Sequence, residues 1–288
     1  MKPNISVLLC VRNEEKYIGD CIKSILSQTY EDFEVIIVDD MSNDHTQTII
    51  KEFDDERIRY FRNEEWRGIA KSRNKGLKHA KGEYVFFTDG DCKVPNSWIE
   101  EGLKSLKSPG CVGVEGRIYY ISKDHKPTLS DGVIANVNGG HFTTGNVAYK
   151  RSVVKAAGGF DERFERLSDR DIALRIMKYG EIRFDAKMIV YHPQVIQTPR
   201  GLIETASRAR NRVYLFKRFR DTEGMLWRIV YPVNLAKALY PPLILISLLF
   251  HKVKNANDFR LMPYTYVSVV KERLQLWETC AREKVFLI

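Results

Sequence analysis

Glu83-Tyr84-Val85-Phe86-Phe87-Thr88 runs straight into Asp89-Gly90-Asp91. The first six residues read as a short buried strand whose carboxyl end delivers two acids one residue apart. In a core, each carboxylate would have to be desolvated with no cation beside it in the local sequence, which is costly. A hard divalent cation such as Mg²⁺ or Mn²⁺ suits them better, because it prefers carboxylate oxygens together with the phosphates of a substrate. Gly90 lets the chain turn between the acids and leaves room for a ligand. The competing reading is a solvated turn, since Asp-Gly is a common turn dipeptide.

The same grammar repeats on both sides of this stretch. Ile5–Val11 is an apolar run, and Glu15–Gln28 follows with Ile18, Cys21, Ile22, Ile25 and Leu26 at helical spacing. Phe33–Val38 is a second run, ending at Asp39-Asp40, after which Ser42-Asn43-Asp44 offers a cap for a helix through Lys51. Arg57–Phe61 is a third strand candidate, Gly68–Ala80 a helix marked by Ile69, Ala70 and Leu77, and Tyr84–Phe87 the fourth strand. Short strands separated by helices predict an α/β fold, a Rossmann-like and mostly parallel sheet with helices on both faces.

In such a sheet ligands sit beyond the carboxyl ends of the strands. That rule gathers Arg12-Asn13-Glu14, Asp39-Asp40 and Asp89-Gly90-Asp91 along one rim. No Gly-x-Gly-x-x-Gly follows the first strand, and no Gly-x-x-x-x-Gly-Lys-Ser/Thr occurs, so neither glycine cradle for phosphate is present. A phosphate site on this rim therefore calls for a metal. Ordinary solvated loops are the alternative.

The 288 residues suffice for one large domain or two ordinary ones. Cys10, Cys21, Cys92, Cys111 and Cys280 show no paired spacing, which argues against a zinc site or a disulfide framework and fits a reducing compartment. The apolar stretch ending at Cys10 is too short for a signal peptide, so a cytosolic protein is expected.

The net charge of +9 is unevenly spread. Residues 1–199 carry 30 basic and 30 acidic side chains, whereas residues 200–254 carry 11 Lys/Arg against Glu204, Asp221 and Glu223. Two regions are expected: a catalytic domain over 1–199 and a basic, aromatic-rich helical extension over 200–288. Arg208, Arg210, Arg212, Lys217, Arg218 and Arg220 interleave with Val213, Tyr214, Leu215, Phe216 and Phe219, and Met225–Val233 and Ala238–Phe250 follow. The last stretch is 13 uncharged residues broken by Pro241-Pro242, against the roughly 20 needed to span a bilayer. Basic residues beside Trp227, Tyr231, Tyr240 and Phe250 suit a surface anchor on anionic lipid, peripheral on the cytosolic face of the membrane. Packing within the chain, or against a second copy as a homodimer, is the alternative. Nucleic acid is not expected as a partner, because the aliphatic run Leu243–Leu249 has no use in a nucleic-acid groove.

Seven blocks, in order, resemble family-2 inverting glycosyltransferases of the GT-A fold. They are Val-Arg-Asn-Glu-Glu (11–15), Val-Asp-Asp-Met-Ser-Asn-Asp (38–44), Gly-Ile-Ala-Lys-Ser-Arg-Asn-Lys-Gly (68–76), Gly-Glu-Tyr-Val-Phe-Phe-Thr-Asp-Gly-Asp (82–91), Thr-Gly-Asn (144–146), Gly-Gly-Phe-Asp-Glu-Arg-Phe (158–164) and Ser-Asp-Arg-Asp-Ile-Ala-Leu-Arg (168–175). The resemblance covers about residues 3–195. It implies that Asp39 bonds the nucleotide base, a role suited to a carboxylate facing an imide N–H. It implies that Asp89 lies near the ribose and Asp91 ligates Mn²⁺ or Mg²⁺, with His192 reaching the metal or diphosphate. Val11, Asn13, Glu14, Lys71 and Arg73 fall in blocks that line the nucleotide sugar. Asp169 matches the base that deprotonates the acceptor hydroxyl, although the family's preceding Glu is Ser168 here. Asp171 and Asn146 match supporting positions.

The implied reaction is a single in-line displacement. A nucleoside-diphosphate sugar, UDP-linked in most of the family, gives its sugar with inversion to the hydroxyl of a glycan or lipid-linked acceptor. A sugar-phosphate nucleotidyltransferase is the rival enzyme class; it would open with a glycine-rich basic loop, unlike Val11-Arg12-Asn13-Glu14. A catalytically dead scaffold is a further alternative.

Overall fold

The structure, a computed structural model, describes residues 3–120, 131–132, 136–193, 195–206, 208–220, 225–226, 229–230, 232–239 and 255–288. The expectations for Trp227, Tyr231 and residues 240–254 lie outside these. The chain divides into two compact units, Met1–Lys123 with Ile134–Pro193, and Asp124–Val133 with Gln194–Ile288.

The first unit begins β1 (Ile5–Val11), α1 (Ile18–Leu26), β2 (Phe33–Asp39), α2 (Thr46–Lys51), β3 (Ile58–Arg62), α3 (Ile69–His79), β4 (Tyr84–Asp89), α4 (Trp98–Leu106) and β5 (Cys111–Tyr120). After β6 (Asp131–Gly132), which belongs to the second unit, come β7 (Asn146–Lys150), α5 (Arg151–Ala156), α6 (Ser168–Ile176) and β8 (Glu181–His192). Seven strands form one sheet in the order β3-β2-β1-β4-β7-β5-β8. The β1–β2, β1–β4, β2–β3 and β5–β8 pairs are parallel, and β7 runs antiparallel between β4 and β5. The mostly parallel α/β sheet is thus as expected, with one reversed strand that the short run Asn146–Lys150 did not announce.

Both faces of the sheet are apolar, so the strands read as continuous hydrophobic runs. Alternation sends Val7, Leu9, Val35, Ile37 and Phe86 into one core with Ile22, Trp98 and Leu103, and Leu8, Ile36, Val38, Val85 and Phe87 into the other with Val147, Phe160 and Ile172. Phe86 meets Trp98 edge-on at 5.3 Å, and Phe87 meets Phe160 likewise at 5.6 Å.

Two helix starts differ from their sequence-based positions. α1 begins at Ile18 rather than Glu15, because residues 12–17 form a loop in which Asn13 has a left-handed backbone, φ 58°. α6, for which a start at Asp171 is expected from the apolar spacing of Ile172, Ala173 and Ile176, begins at Ser168, directly after Leu167 at φ 61°.

Asn146 is a clamp in the interior. Its Oδ1 accepts from the Trp98 indole at 2.8 Å, and its Nδ2 donates to the carbonyls of Arg117 (2.9 Å) and Met188 (2.8 Å). It is fully buried, so its supporting part is to tie α4, β5 and β8 to β7.

In the second unit, β9 (Val195–Ile196) pairs with β6, and α7 (Pro199–Thr205) and α8 (Arg208–Phe219) follow. β10 (Met225–Leu226) pairs with β11 (Ile229–Val230), and α9 (Pro232–Leu239) and α10 (Ala256–Glu283) complete the described chain. A reciprocal Asn255–Asp258 cap starts α10. Val213 and Phe216 of α8 are buried with Leu276, Cys280 and Leu287, so part of the Arg-aromatic segment packs internally. Phe259, Val267, Leu274 and Trp277 of α10 stay exposed. No helix among the described residues is long and apolar enough to cross a membrane.

Replacing Asn146 by Ala removes the acceptor of the buried Trp98 indole and the donor to two buried carbonyls. A loss of roughly 3–5 kcal/mol is expected, checked by urea unfolding with intrinsic tryptophan emission.

Candidate active site

The carboxyl ends of β1, β2 and β4 lie side by side, because β1 pairs in register with both neighbours. The loops that leave them are locked before any ligand arrives. Asn13 donates its N–H to Ser42 Oγ, and its Oδ1 accepts from the Asn43 N–H. The Glu14 N–H reaches Thr46 Oγ1 at 2.7 Å. Asp40 accepts from Asn63 and from the N–H groups of Arg67 and Gly68, which fixes the start of α3.

Asp39 is fully buried, and its two oxygens accept from the Ser42 N–H and the Tyr60 hydroxyl, each at 2.7 Å. Each oxygen keeps a second lone pair. Val11 is also buried; its side chain packs against Gly90, where an added Cβ would come within 2.6 Å of it. Any side chain at position 90 would displace Val11 or the acids.

Asp89 and Asp91 project from the end of β4 toward His192, the last residue of β8. One ligand atom each from Asp89, Asp91, Cys92 and His192 lies within 4.8 Å of the others. His192 is buried, and its Nδ1 is 2.8 Å from the Pro193 carbonyl. A carbonyl only accepts, so Nδ1 carries a proton and Nε2 is the ring atom left to meet the rim. That Nε2 faces Asp91 Oδ2 at 3.4 Å. Two acceptors in opposition require either a second ring proton or a cation that both can bind. The donor set therefore fits a divalent metal, oriented by the Pro193 carbonyl.

The electrostatics agree. Glu14, half-buried beside Asp91 and Asp89, has its carboxyl pushed up to about 8 by burial and by those two acids. Asp89 is raised by desolvation against the pull of Arg73, and Asp91 raises it further. A cluster that resists ionisation for lack of positive charge is one that a cation stabilises.

Arg73 and Lys71 separate. Two residues apart on a helix they point about 200° apart; Lys71 is exposed, whereas Arg73 is buried. The Arg73 guanidinium lies 4.0 Å from Asp89 Oδ1 and 3.4 Å from Ser168 Oγ, and stacks over Phe160 at 5.4 Å. It thereby joins the acid rim to the start of α6. Asp169 sits there, raised by desolvation, with Arg73 opposing and Asp89 adding to the rise. Its Oδ1 accepts from the Arg170 N–H at 2.9 Å.

Asp171 does not join the site. It is fully buried and pairs with Arg175 at 2.5 Å, one helical turn away. A carboxylate four residues before an arginine is the spacing for such a pair.

Two residues at the site escaped the sequence reading. Cys92 was read only as one of five cysteines without paired spacing. Glu115, on β5, is buried and accepts from the N–H groups of Gly140 and Phe142 and from Asn136. It fixes a loop with left-handed backbone at Gly139, Gly140 and Phe142. That loop reaches Arg170, which donates to the Gly140 carbonyl, and runs on to Gly145 beside Asp89.

Known proteins resemble this chain in sequence and in fold. The family model for glycosyl transferase family 2 matches residues 6–158. A putative teichuronic acid biosynthesis glycosyltransferase, TuaG, of Bacillus subtilis is 39% identical over 112 residues, 38% of this chain and 44% of that protein. A GalNAc(5)-diNAcBac-PP-undecaprenol beta-1,3-glucosyltransferase of Campylobacter jejuni is 38% identical over 178 residues, 56% of each chain. Matches to the first five curated relatives span between 15% and 44% of their lengths. Among solved structures, the mannosyltransferase PcManGT from Pyrobaculum calidifontis, in complex with GDP-Man and Mn²⁺, superposes with a TM-score of 0.61 at 19% identity, covering 99% of this chain and 88% of that one. The S. aureus TarS 1-349 complex with UDP-GlcNAc gives 0.56 at 17% identity, covering 98% and 93%. With its acid rim at the carboxyl edge of a mostly parallel sheet, this chain belongs to glycosyl transferase family 2 and has the GT-A fold.

Proposed function

We propose that the protein transfers a sugar from a nucleoside-diphosphate donor to a hydroxyl acceptor, with inversion and with the help of a divalent metal. The observation that carries this reading is the facing pair Asp91 Oδ2 and His192 Nε2, 3.4 Å apart at the sheet's carboxyl edge with Asp89 beside them, a donor set that a divalent cation can bridge. Asp91 and His192 would hold the ion, with Asp89 beside it. Mn²⁺ or Mg²⁺ bound there supplies charge neutralisation for the departing diphosphate.

The chain's own residues do the rest. Arg73 adds a fixed positive charge between the donor side and the acceptor side. Glu14 and Asn13 would lie along the donor's diphosphate with Val11 packed behind them against Gly90, and Asp39 is the candidate for reading the base. Asp169 takes the proton of the acceptor hydroxyl as that oxygen attacks the anomeric carbon from the face opposite the leaving group. Its raised carboxyl suits a base that must hold a proton briefly and then release it. Ser168, where the family has an acid, accepts from Arg73 and keeps that guanidinium aimed at Asp89.

UDP is the favoured donor, and a lipid-linked or cell-surface glycan the favoured acceptor. The lipid-linked acceptor in the name of the C. jejuni relative supports it. The basic segment, with Phe259, Leu274 and Trp277 exposed on α10, supports a peripheral place on anionic membrane or self-association.

A thermal-shift panel of nucleoside diphosphates, with and without Mn²⁺, tests the donor class. One nucleotide should stabilise the protein only with metal; stabilisation by a nucleoside triphosphate plus sugar phosphate instead would favour a nucleotidyltransferase. Asp91→Ala should lose the metal-dependent shift entirely. Asp169→Asn should keep the shift while kcat falls by about 10²–10⁴-fold; normal turnover in that variant removes Asp169 as the base. The acid limb of kcat/KM should lie above the ordinary aspartate range, because the base works only when ionised and its carboxyl is raised. Arg73 lowers that carboxyl, so Arg73→Gln should move the limb to higher pH; an unmoved limb would assign it to another group.

A further inference from the structure

Cys92 stands directly after Asp91 and is fully buried. Its thiol donates toward Asp91 Oδ1 at 3.6 Å, and its sulfur shares the 4.8 Å cluster with Asp89, Asp91 and His192. The donors come from the end of β4, the turn after it and the end of β8, so no paired-cysteine spacing reveals them in sequence. A diphosphate-bound Mn²⁺ or Mg²⁺ uses oxygen and imidazole ligands and has little use for sulfur. A thiophilic ion differs: tetrahedral Zn²⁺ takes carboxylate, imidazole and thiolate together, and a site with four protein ligands has no open position.

We propose that Cys92 makes the rim a closable site for thiophilic cations. Zn²⁺ would be held there by Cys92, His192 and the Asp89–Asp91 carboxylates. Binding breaks the Cys92 S–H bond, forms a sulfur–metal bond and releases one proton to solvent. His192 is already oriented for this by its Nδ1 contact with the Pro193 carbonyl. Cys21, whose sulfur donates instead to the Asp89 carbonyl at 3.5 Å, is not a ligand. The occupied rim has no coordination position left for a diphosphate, so Zn²⁺ is a dead-end occupant rather than an activator. That last consequence rests on the function proposed above; the ligation itself does not.

Co²⁺ is the probe, because thiolate ligation gives it a near-ultraviolet charge-transfer band. The full chain, stripped with chelator and titrated with Co²⁺ alone, should develop that band, and Zn²⁺ should bleach it. Cys92→Ser should abolish the band and weaken Zn²⁺ binding by about tenfold or more. Its Mn²⁺ affinity, followed by electron paramagnetic resonance, should stay within about twofold of the wild-type value, since hard ions do not use sulfur. Cys21→Ser should keep the band. Cys92→Ala, with melting temperatures for all variants, guards against loss of fold as the cause. No band in the wild type, or a band that survives in both Cys92 variants, overturns the proposal. The metal-dependent nucleotide shift is read separately, so failure of the transferase reading leaves the cobalt result standing and the reverse holds too.

Discussion

Like charge crowded onto one edge is the constraint around which the rest of the first unit is arranged. Glu14, Asp89 and Asp91 gather where three parallel strands end, and the chain brings Arg73 and His192 to meet them. The Arg73 guanidinium is partly consumed by Ser168, and the His192 ring turns Nδ1 to the Pro193 carbonyl, which leaves Nε2 facing Asp91. The result is a rim that is short of positive charge and long on acceptors. Such a rim suits the cation and nucleoside diphosphate proposed above.

The surrounding loops make that arrangement rigid instead of letting it relax. Asp39 and Asp40 accept from the loop backbone and from Tyr60 and Asn63, so the second strand's acids build the walls of the rim. Glu115 does the same for the loop that links the Arg170 side to Asp89. Buried carboxylates that accept several N–H groups are well satisfied, and here they fix the loops at the sheet's carboxyl edge.

How much of this the sequence disclosed follows physical lines. Apolar runs that end in acids, as at Phe86-Phe87-Thr88-Asp89, expose both strand and rim, because period and charge are local signals. The partners of those acids were partly legible: His192 closes an apolar run in the way a strand-end residue does. Lys71 and Arg73 were grouped by the family resemblance, although their spacing already set them on different helix faces. Asp171 likewise had its partner, Arg175, in plain view at one helical turn. Cys92 and Glu115 were hidden for a different reason. Their chemistry depends on strands far apart in sequence, and β7's antiparallel entry between β4 and β5 is a tertiary fact that no local pattern carries.

Asn13, Met41, Phe142 and Leu167 all have positive φ, and each stands in a loop that frames the rim. For leucine that geometry costs about 1–2 kcal/mol, and it is the residue that launches the helix bearing Asp169. Glycine at position 167 would relieve the strain and yield a sturdier molecule. The aspartate's aim would then hang on a looser joint, so heat resistance gained there would be bought with slackened chemistry.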